Sequence, residues 1–248
     1  MSNRVQSFGA GVQSVTILRK ILAGEIAPVD AVVFADTQAE PEHVYQVLAR
    51  EQKLCKKAGI PFHVVTWRGL LQHTRDSLPP LFTLSPNGKK GALFRVCTDR
   101  YKLQPIRELI RKLKWHAEGV DQLLGISTDE IMRVKPSRLS YITNSYPLIE
   151  LNMSRRDCET YLASIGVSAA KSACVICPYS PTSTWQAIRQ NENDWRKAVA
   201  YDKAIRNVMG KRSDLLCFTH YSCKPLEEAV LLESPNMFDS ECEGHCGL

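Results

Sequence analysis

Arg4-Val5-Gln6-Ser7-Phe8-Gly9-Ala10-Gly11-Val12-Gln13-Ser14 is the stretch whose reading decides the fold. Arg4 to Phe8 reads as a short strand, and Val12 to Ala23 places Val12, Val15, Ile17, Leu18, Ile21 and Leu22 at helical spacing, with Gly24 as a stop. Between them lies a turn of small residues. A strand that passes through such a turn straight into a helix opens an α/β unit. Its small side chains let the backbone approach an anion, and the helix start adds unpaired N–H groups. Ser7, Phe8, Gly9, Ala10, Gly11, Gln13 and Ser14 are therefore the predicted phosphate cradle, with Ser7 and Ser14 adding hydroxyls. The segment has neither the Gly-Lys-Ser/Thr of a Walker A loop nor the spacing GxGxxG. A tight turn without a ligand is the competing reading.

Outward from this unit the same alternation continues. Val29 to Ala35 is a nearly continuous apolar run, as in a buried parallel strand, and Pro41 opens a helix running to about Ala58. Phe62–Trp67 reads as a third strand, Leu103–Leu113 as a helix, Val120–Ile126 as a fourth strand and Tyr146–Leu151 as a fifth. Ser154 with Asp157 resembles a capping box for a helix to about Ile165. Arg68–Arg100 breaks the rhythm with Pro79, Pro80, Pro86, Gly88 and Gly91 and reads as a long basic loop. Beyond Lys171 come Cys174-Val175-Ile176-Cys177-Pro178, two helical stretches and an irregular tail. The expected fold class is α/β: an open, mostly parallel five-stranded sheet with helices on both faces over residues 1–170. A helical, cysteine-bearing extension fills residues 171–248.

Composition narrows the field. The chain has 248 residues, 44% of them hydrophobic and 23% charged, which is ordinary globular usage and excludes collagen, coiled coil and long disorder. No apolar run reaches membrane-spanning length, and the start MSNRVQSFGAG lacks the apolar core of a secretory signal, so a cytoplasmic protein without membrane association is expected. The net charge of +6 favours an anionic partner. Nine cysteines, in a reducing compartment, point to metal or sulfur chemistry rather than disulfides. Cys55, Cys158, Cys217 and Cys223 read as packing residues, and the scattered histidines carry no metal-ligand spacing.

Asp36-Thr37 with Glu40-Pro41-Glu42 stands at the carboxyl end of the second strand, the edge where open α/β sheets bind ligands. Alone, Asp36 would be a turn cap; beside the first loop it becomes a candidate ribose, adenine or magnesium contact. Together, Ser7 to Ser14, the Asp36-Thr37 stretch, Arg95-Val96-Cys97-Thr98 with Lys102, Gly125 to Glu130, Lys171 to Pro178 and the ending Cys242-Glu243-Gly244-His245-Cys246-Gly247 resemble the phosphoadenosine phosphosulfate (PAPS) reductase family. That family belongs to the PP-loop ATP pyrophosphatase superfamily, which also holds tRNA-thiolating enzymes and ATP pyrophosphatase components of DNA phosphorothioation systems. The likeness covers nearly the whole chain. The usual Ser-Gly-Gly-x-Asp-Ser is here Gly9-Ala10-Gly11-Val12-Gln13-Ser14, so the Asp charge that would assist magnesium is missing.

The resemblance implies ATP and Mg2+ as ligands, with phosphates on Ser7–Ser14 and adenosine near Asp36, Thr37, Gly125 and Ile126; Asp129 and Glu130 close the same edge. It implies adenylation of a substrate oxygen with pyrophosphate release, assisted by Arg95 and Lys102, followed by thiolation. The acceptor would be a nucleic acid, DNA or tRNA, and a cysteine desulfurase would serve as sulfur donor; an oligomer is compatible with all of this. Cys174-x-x-Cys177 alone is ambiguous between zinc, an iron–sulfur cluster and a redox pair. With Cys97 and Cys242 as further ligands, the family favours a [4Fe–4S] cluster, leaving Cys246 as the sulfur-carrying thiol; the roles of Cys242 and Cys246 are exchangeable. Two alternatives stay open. One is a sulfonucleotide reductase with Cys246 as nucleophile, and the other a non-catalytic nucleotide-binding iron–sulfur subunit. The basic run Lys89, Lys90, Arg95, Arg100 and Lys102, continued by Arg107, Arg111, Lys112 and Lys114, is either a solvated face or a phosphate-binding one.

Overall fold

The computed structural model describes residues 2–72, 78–170, 172–210 and 214–229. Its centre is a five-stranded sheet in the order β3-β2-β1-β6-β7, with every pairing parallel. The strands are β1 (Asn3–Phe8), β2 (Ala31–Ala35), β3 (Phe62–Val65), β6 (Val120–Leu123) and β7 (Ile142–Ser145).

Alternation along β2 explains the layering. Val32 and Phe34 pack on one face with α1 (Val12–Leu22), α2 (Glu42–Lys57) and α5 (Arg155–Ser164), whereas Val33 and Ala35 face α3 (Gln104–Lys112) on the other. A strand buried on both faces must be apolar at every position, and all five residues of β2 are buried. The chain builds β1, β2 and β3 outward in one direction, then returns to place β6 and β7 on the other side of β1. The reversal leaves a crevice beyond the carboxyl ends of β1 and β6, where the connections diverge.

The expected open, parallel α/β sheet is therefore what the chain forms, with two corrections. Tyr146–Leu151 is not a strand: the fifth strand is the more polar Ile142–Ser145, and Pro147 opens the short helix α4 (Pro147–Glu150). Proline lacks the N–H a ladder requires, and its fixed φ suits a first helical turn. The stretch 68–100 is not wholly irregular either. β4 (Phe82–Leu84) pairs antiparallel with both β5 (Lys90–Ala92) and β8 (Leu216–Phe218), forming a second, three-stranded sheet.

That small sheet ties the region after residue 171 to the first part of the chain. One apolar cluster joins Leu70, Leu78, Leu81 and Tyr101 to Val175, Ile176, Tyr201, Ile205 and Cys217. Helices α6 (Thr182–Gln190) and α7 (Glu192–Ala204) pack together over Trp185, Ile188 and Ala198. Asp202, 1% exposed, anchors the return: it accepts from Thr219 N and Oγ1 at 2.9 and 2.8 Å and from Leu226 N at 3.1 Å, and it pairs with Arg206. Among the described residues, no helix is long and apolar enough to cross a membrane.

Candidate active site

The turn after β1 is shaped by sterics. Ala10 takes a left-handed conformation (φ 56°), and its methyl is buried in the main core, 1% exposed, rather than pointing to the crevice. Gly11 caps α1 with extended backbone and no side-chain cap bond, and the first turn of α1 carries no acidic residue. The helix start therefore presents N–H groups and its positive dipole end to whatever lies in the crevice. Two neighbours hold the turn: Gln6 Nε2 donates to Ser14 O at 2.7 Å, and Gln122 Nε2 donates to Ser7 Oγ at 2.6 Å. Ser14 Oγ donates to Gly11 O at 3.0 Å. A Cβ on Gly125 would lie 3.1 Å from Ser14 N and 3.3 Å from Gln13 Cβ, so glycine there is what lets the loop after β6 lie against this turn.

A cleft opens over this turn. Ser7, Phe8, Gly9, Gly11, Gln13, Ser14, Gly125, Ile126 and Glu130 line it, as do Lys102, Arg133 and Arg155. Glu130 is held on both oxygens, receiving Gln13 Nε2 at 3.3 Å and Arg133 Nη1 at 2.6 Å. The sequence reading did not single out Arg133, Arg155, Gln122 or Ser172. Arg133 was legible as a basic residue one helical turn beyond Glu130; Ser172 lies in a stretch with no pattern of its own.

A second cavity adjoins the first. Cys97, Cys174 and Cys177 line it with Thr37, Arg95 and Tyr179, and its remaining wall is mostly proline, leucine and isoleucine. Lys102 and Ser172 belong to both cavities, so they form the partition. The site is a cleft over the start of α1 with a thiol-lined cavity beside it. Cys97 precedes a π-helical segment, Thr98–Leu103, that runs into α3 and carries Lys102. Cys174 and Cys177 sit in a turn closed by Cys177 N donating to Cys174 O at 3.0 Å and pinned by Val175 N donating to Ala39 O at 2.8 Å.

Glu40, 2% exposed, stands at the same boundary. Its Oε1 accepts from Thr37 Oγ1 at 3.0 Å and from Cys174 Sγ at 3.6 Å, with Lys102 Nζ at 3.9 Å. Arg95 lies over the Tyr179 ring at 5.9 Å.

Three expected ligand contacts fall elsewhere. The Asp36 carboxylate accepts from Gln38 N at 2.7 Å and Tyr45 Oη at 2.9 Å, making it the turn cap that a lone Asp after a strand usually is. Burial and then the Asp36 charge push the Tyr45 hydroxyl above its ordinary range, keeping it a donor. Asp129 accepts from Arg155 N at 2.8 Å, at the start of α5. Thr37 lines the thiol cavity rather than the cradle. Cys242 and Cys246 lie outside the described residues.

The thiols fit a cluster in kind, with three of them facing one largely apolar cavity that also carries two cations. As placed, however, no three His, Cys, Asp or Glu side chains among the described residues form a group that could hold a metal ion. Of the cleft carboxylates among the described residues, Glu130 is paired with Arg133, and Glu40 has Lys102 at 3.9 Å from one oxygen.

No family model matches the sequence, and no curated protein matches it. Several solved structures are similar, among them two enzymes. One is PAPS reductase from Candida auris as a phosphate complex, at 16% identity and a TM-score of 0.47, covering 68% of this chain and 75% of that one. The other is the U34-tRNA thiolase NcsA from Methanococcus maripaludis with its [4Fe-4S] cluster, at 11% identity and a TM-score of 0.42, covering 82% and 71%.

Proposed function

We propose that the chain is an ATP-dependent sulfur-transfer enzyme of the PP-loop superfamily, which adenylates an oxygen of a nucleic acid and then replaces it with sulfur. The observation that carries this reading is the shared partition: Lys102 and Ser172 line both an anion cradle and a cavity with three thiols. Nucleotide activation and sulfur delivery need adjoining sites, because the activated oxygen must meet sulfur before it meets water.

The cradle's N–H groups, with Ser7 and Gly9 beside them, would hold the ATP phosphates at the start of α1, while the loop from Gly125 to Ile126 borders the nucleoside. A substrate oxygen attacks the α-phosphorus; the new O–P bond forms as the bond to pyrophosphate breaks, and pyrophosphate leaves with the electron pair. Lys102, Arg133 and Arg155 line the cleft where that charge develops, and fixed cations lower the barrier there. Hydrosulfide then attacks the atom bearing the adenylated oxygen: the new bond to sulfur forms as the bond to the AMP oxygen breaks, and AMP, a better leaving group than hydroxide, departs with the electron pair. A [4Fe–4S] cluster held by Cys97, Cys174 and Cys177 would supply an iron site able to bind the sulfur to be transferred. Magnesium enters as a companion of the ATP phosphates. A cysteine desulfurase is the proposed sulfur source and Cys246 the proposed carrier, its persulfide releasing hydrosulfide when a thiol reductant supplies two electrons; the cytoplasm is the proposed compartment.

The test is to incubate anaerobically purified protein with ATP, tRNA or DNA, and a sulfide source. Pyrophosphate release that depends on the nucleic acid is the expected result. Its absence with every nucleic acid tried, together with sulfite release from PAPS and a thiol reductant, would replace this reading with the reductase. A brown protein absorbing near 400 nm that bleaches in Cys174→Ala is expected for the cluster, and a colourless protein would remove it.

A further inference from the structure

A third recess lies along the same edge of the sheet. Arg95, Arg107, Lys135 and Arg138 line it, with Asp99 as the single carboxylate, and Asp99 is already held by Arg107 at 3.0 Å. Among the described residues, neither Lys135 nor Arg138 forms an ion pair, and both are exposed. Four cations against one carboxylate leave the lining of this recess net positive. Its floor is built from sheet residues, Gln122 of β6 and Ile142 and Asn144 of β7. Leu103, Ile106 and Gln122 also line the anion cleft, and Arg95 and Thr98 also line the thiol cavity. All three spaces therefore meet. Phe94, next to Arg95 in the chain, leaves its ring 93% exposed. An exposed aromatic ring one residue from a lining cation, in a recess where Lys135 and Arg138 form no ion pair among the described residues, is an arrangement that can stack a base while neighbouring charges hold phosphates.

We propose that this recess binds an unpaired nucleic-acid strand, with Lys135, Arg138 and Arg107 on its phosphates and Phe94 against a base, so that one nucleotide reaches the junction of the anion cleft and the thiol cavity. The proposal rests on the sulfur-transfer reading for its purpose, but its binding step requires neither ATP nor sulfur. The unpaired form follows from shape. The cations line a hollow bordered by residues of β6 and β7, and only a strand free of its complement can put phosphate into that hollow and turn a base onto the exposed ring next to Arg95. A duplex presents phosphates on a convex surface and keeps its bases stacked inside.

The experiment measures fluorescence anisotropy of the full chain with a labelled 12-nucleotide single strand, RNA or DNA, and with the matching duplex, at several salt concentrations and without ATP. The single strand should bind at least tenfold more tightly than the duplex. With about three phosphates neutralised, log affinity should fall against log salt with a slope of roughly −2, and Lys135→Glu or Arg138→Glu should flatten it by about 0.7 each. Phe94→Ala should weaken the single strand roughly five- to a hundredfold while leaving the salt slope unchanged. All three side chains are on the surface, and a far-ultraviolet circular dichroism spectrum matching the parent shows that each variant is folded. Equal affinity for strand and duplex would overturn the proposal, as would unchanged binding in both charge variants. Displacement by inorganic polyphosphate together with an inert Phe94→Ala would also overturn it, since the recess would then read charge alone. Absence of pyrophosphate release with strand binding intact would sink the catalytic reading and leave this one standing.

Discussion

Replacing Gly9 with alanine separates the anion cradle from the fold that holds it. A Cβ at this position would meet nothing closer than Ser172 Oγ at 3.9 Å and Ser14 Oγ at 4.0 Å, both ordinary contacts, so the free protein loses almost nothing. Gly9 is exposed and lines the cleft, so the added methyl occupies space a phosphate would use. Lengthening or losing one N–H to phosphate bond costs about 1.5 to 3 kcal/mol, which is roughly a ten- to 150-fold rise in the Kd for ATP. Gly125→Ala makes the opposite trade. Its Cβ would press on Ser14 N at 3.1 Å and on Gln13 Cβ at 3.3 Å, and backbone cannot swing aside. Overpacking of this kind costs the free fold about 1 to 3 kcal/mol. Urea unfolding and calorimetric titration with ATP, run on both variants, give four numbers. Gly9→Ala should keep its unfolding midpoint and lose affinity, whereas Gly125→Ala should lose both. If Gly9→Ala binds ATP as well as the parent, the turn after β1 does not hold phosphate and the proposed chemistry loses its foundation.

Other consequences can be checked on the same protein. Asp202→Ala removes the acceptor for two backbone N–H groups and the partner of Arg206, and urea titration should show a loss of about 3 to 5 kcal/mol. Burial pushes the thiols of Cys55, Cys158 and Cys217 up to about 11, so peptide mapping after iodoacetamide at pH 8 should find these three unmodified in the native protein and labelled after denaturation. Burial pulls His220 down to about 4, so its ring signal in proton NMR should not titrate between pH 8 and pH 5.5. The unfolded chain binds that proton more readily than the native one. The contribution of His220 to stability is therefore complete above pH 6.5 and is lost as pH falls from 6.5 through 4, which denaturant titrations across that window should register.

What the sequence could and could not show follows from where each signal is stored. β2 was readable because a strand buried on both faces must be apolar throughout, and β1 because it runs into a strand-to-helix turn of small residues, which has few uses. β7 was misplaced because an edge strand with one polar neighbour need not be apolar: Ile142-Thr143-Asn144-Ser145 has one large apolar residue, while Pro147-Leu148-Ile149 looks more strand-like until the missing N–H is considered. The second sheet escaped notice because β8 stands more than a hundred residues after its partner β4, and three-residue strands leave no periodicity to count. Cys97, Cys174 and Cys177 were expected, with Cys242, to ligate one metal group; that the first three line one cavity sharing Lys102 with the cleft is something their spacing does not say. Asp36 and Asp129 each accept a backbone N–H on Oδ1, local bonds that their positions in sequence did not reveal.

The π-helical turn at Thr98–Leu103 fixes a length as well as a shape. Each residue of an ordinary helix advances the chain by about 100° around the axis, so a π-turn returned to α-geometry by deleting one residue would rotate everything before or after it by about that angle. Lys102 would then leave the partition, or Cys97 the cavity, although no side chain had changed. In this segment the number of residues is itself a functional element. A homologue may exchange almost any side chain here and keep the junction, but one that is a residue shorter must build its partition from something else.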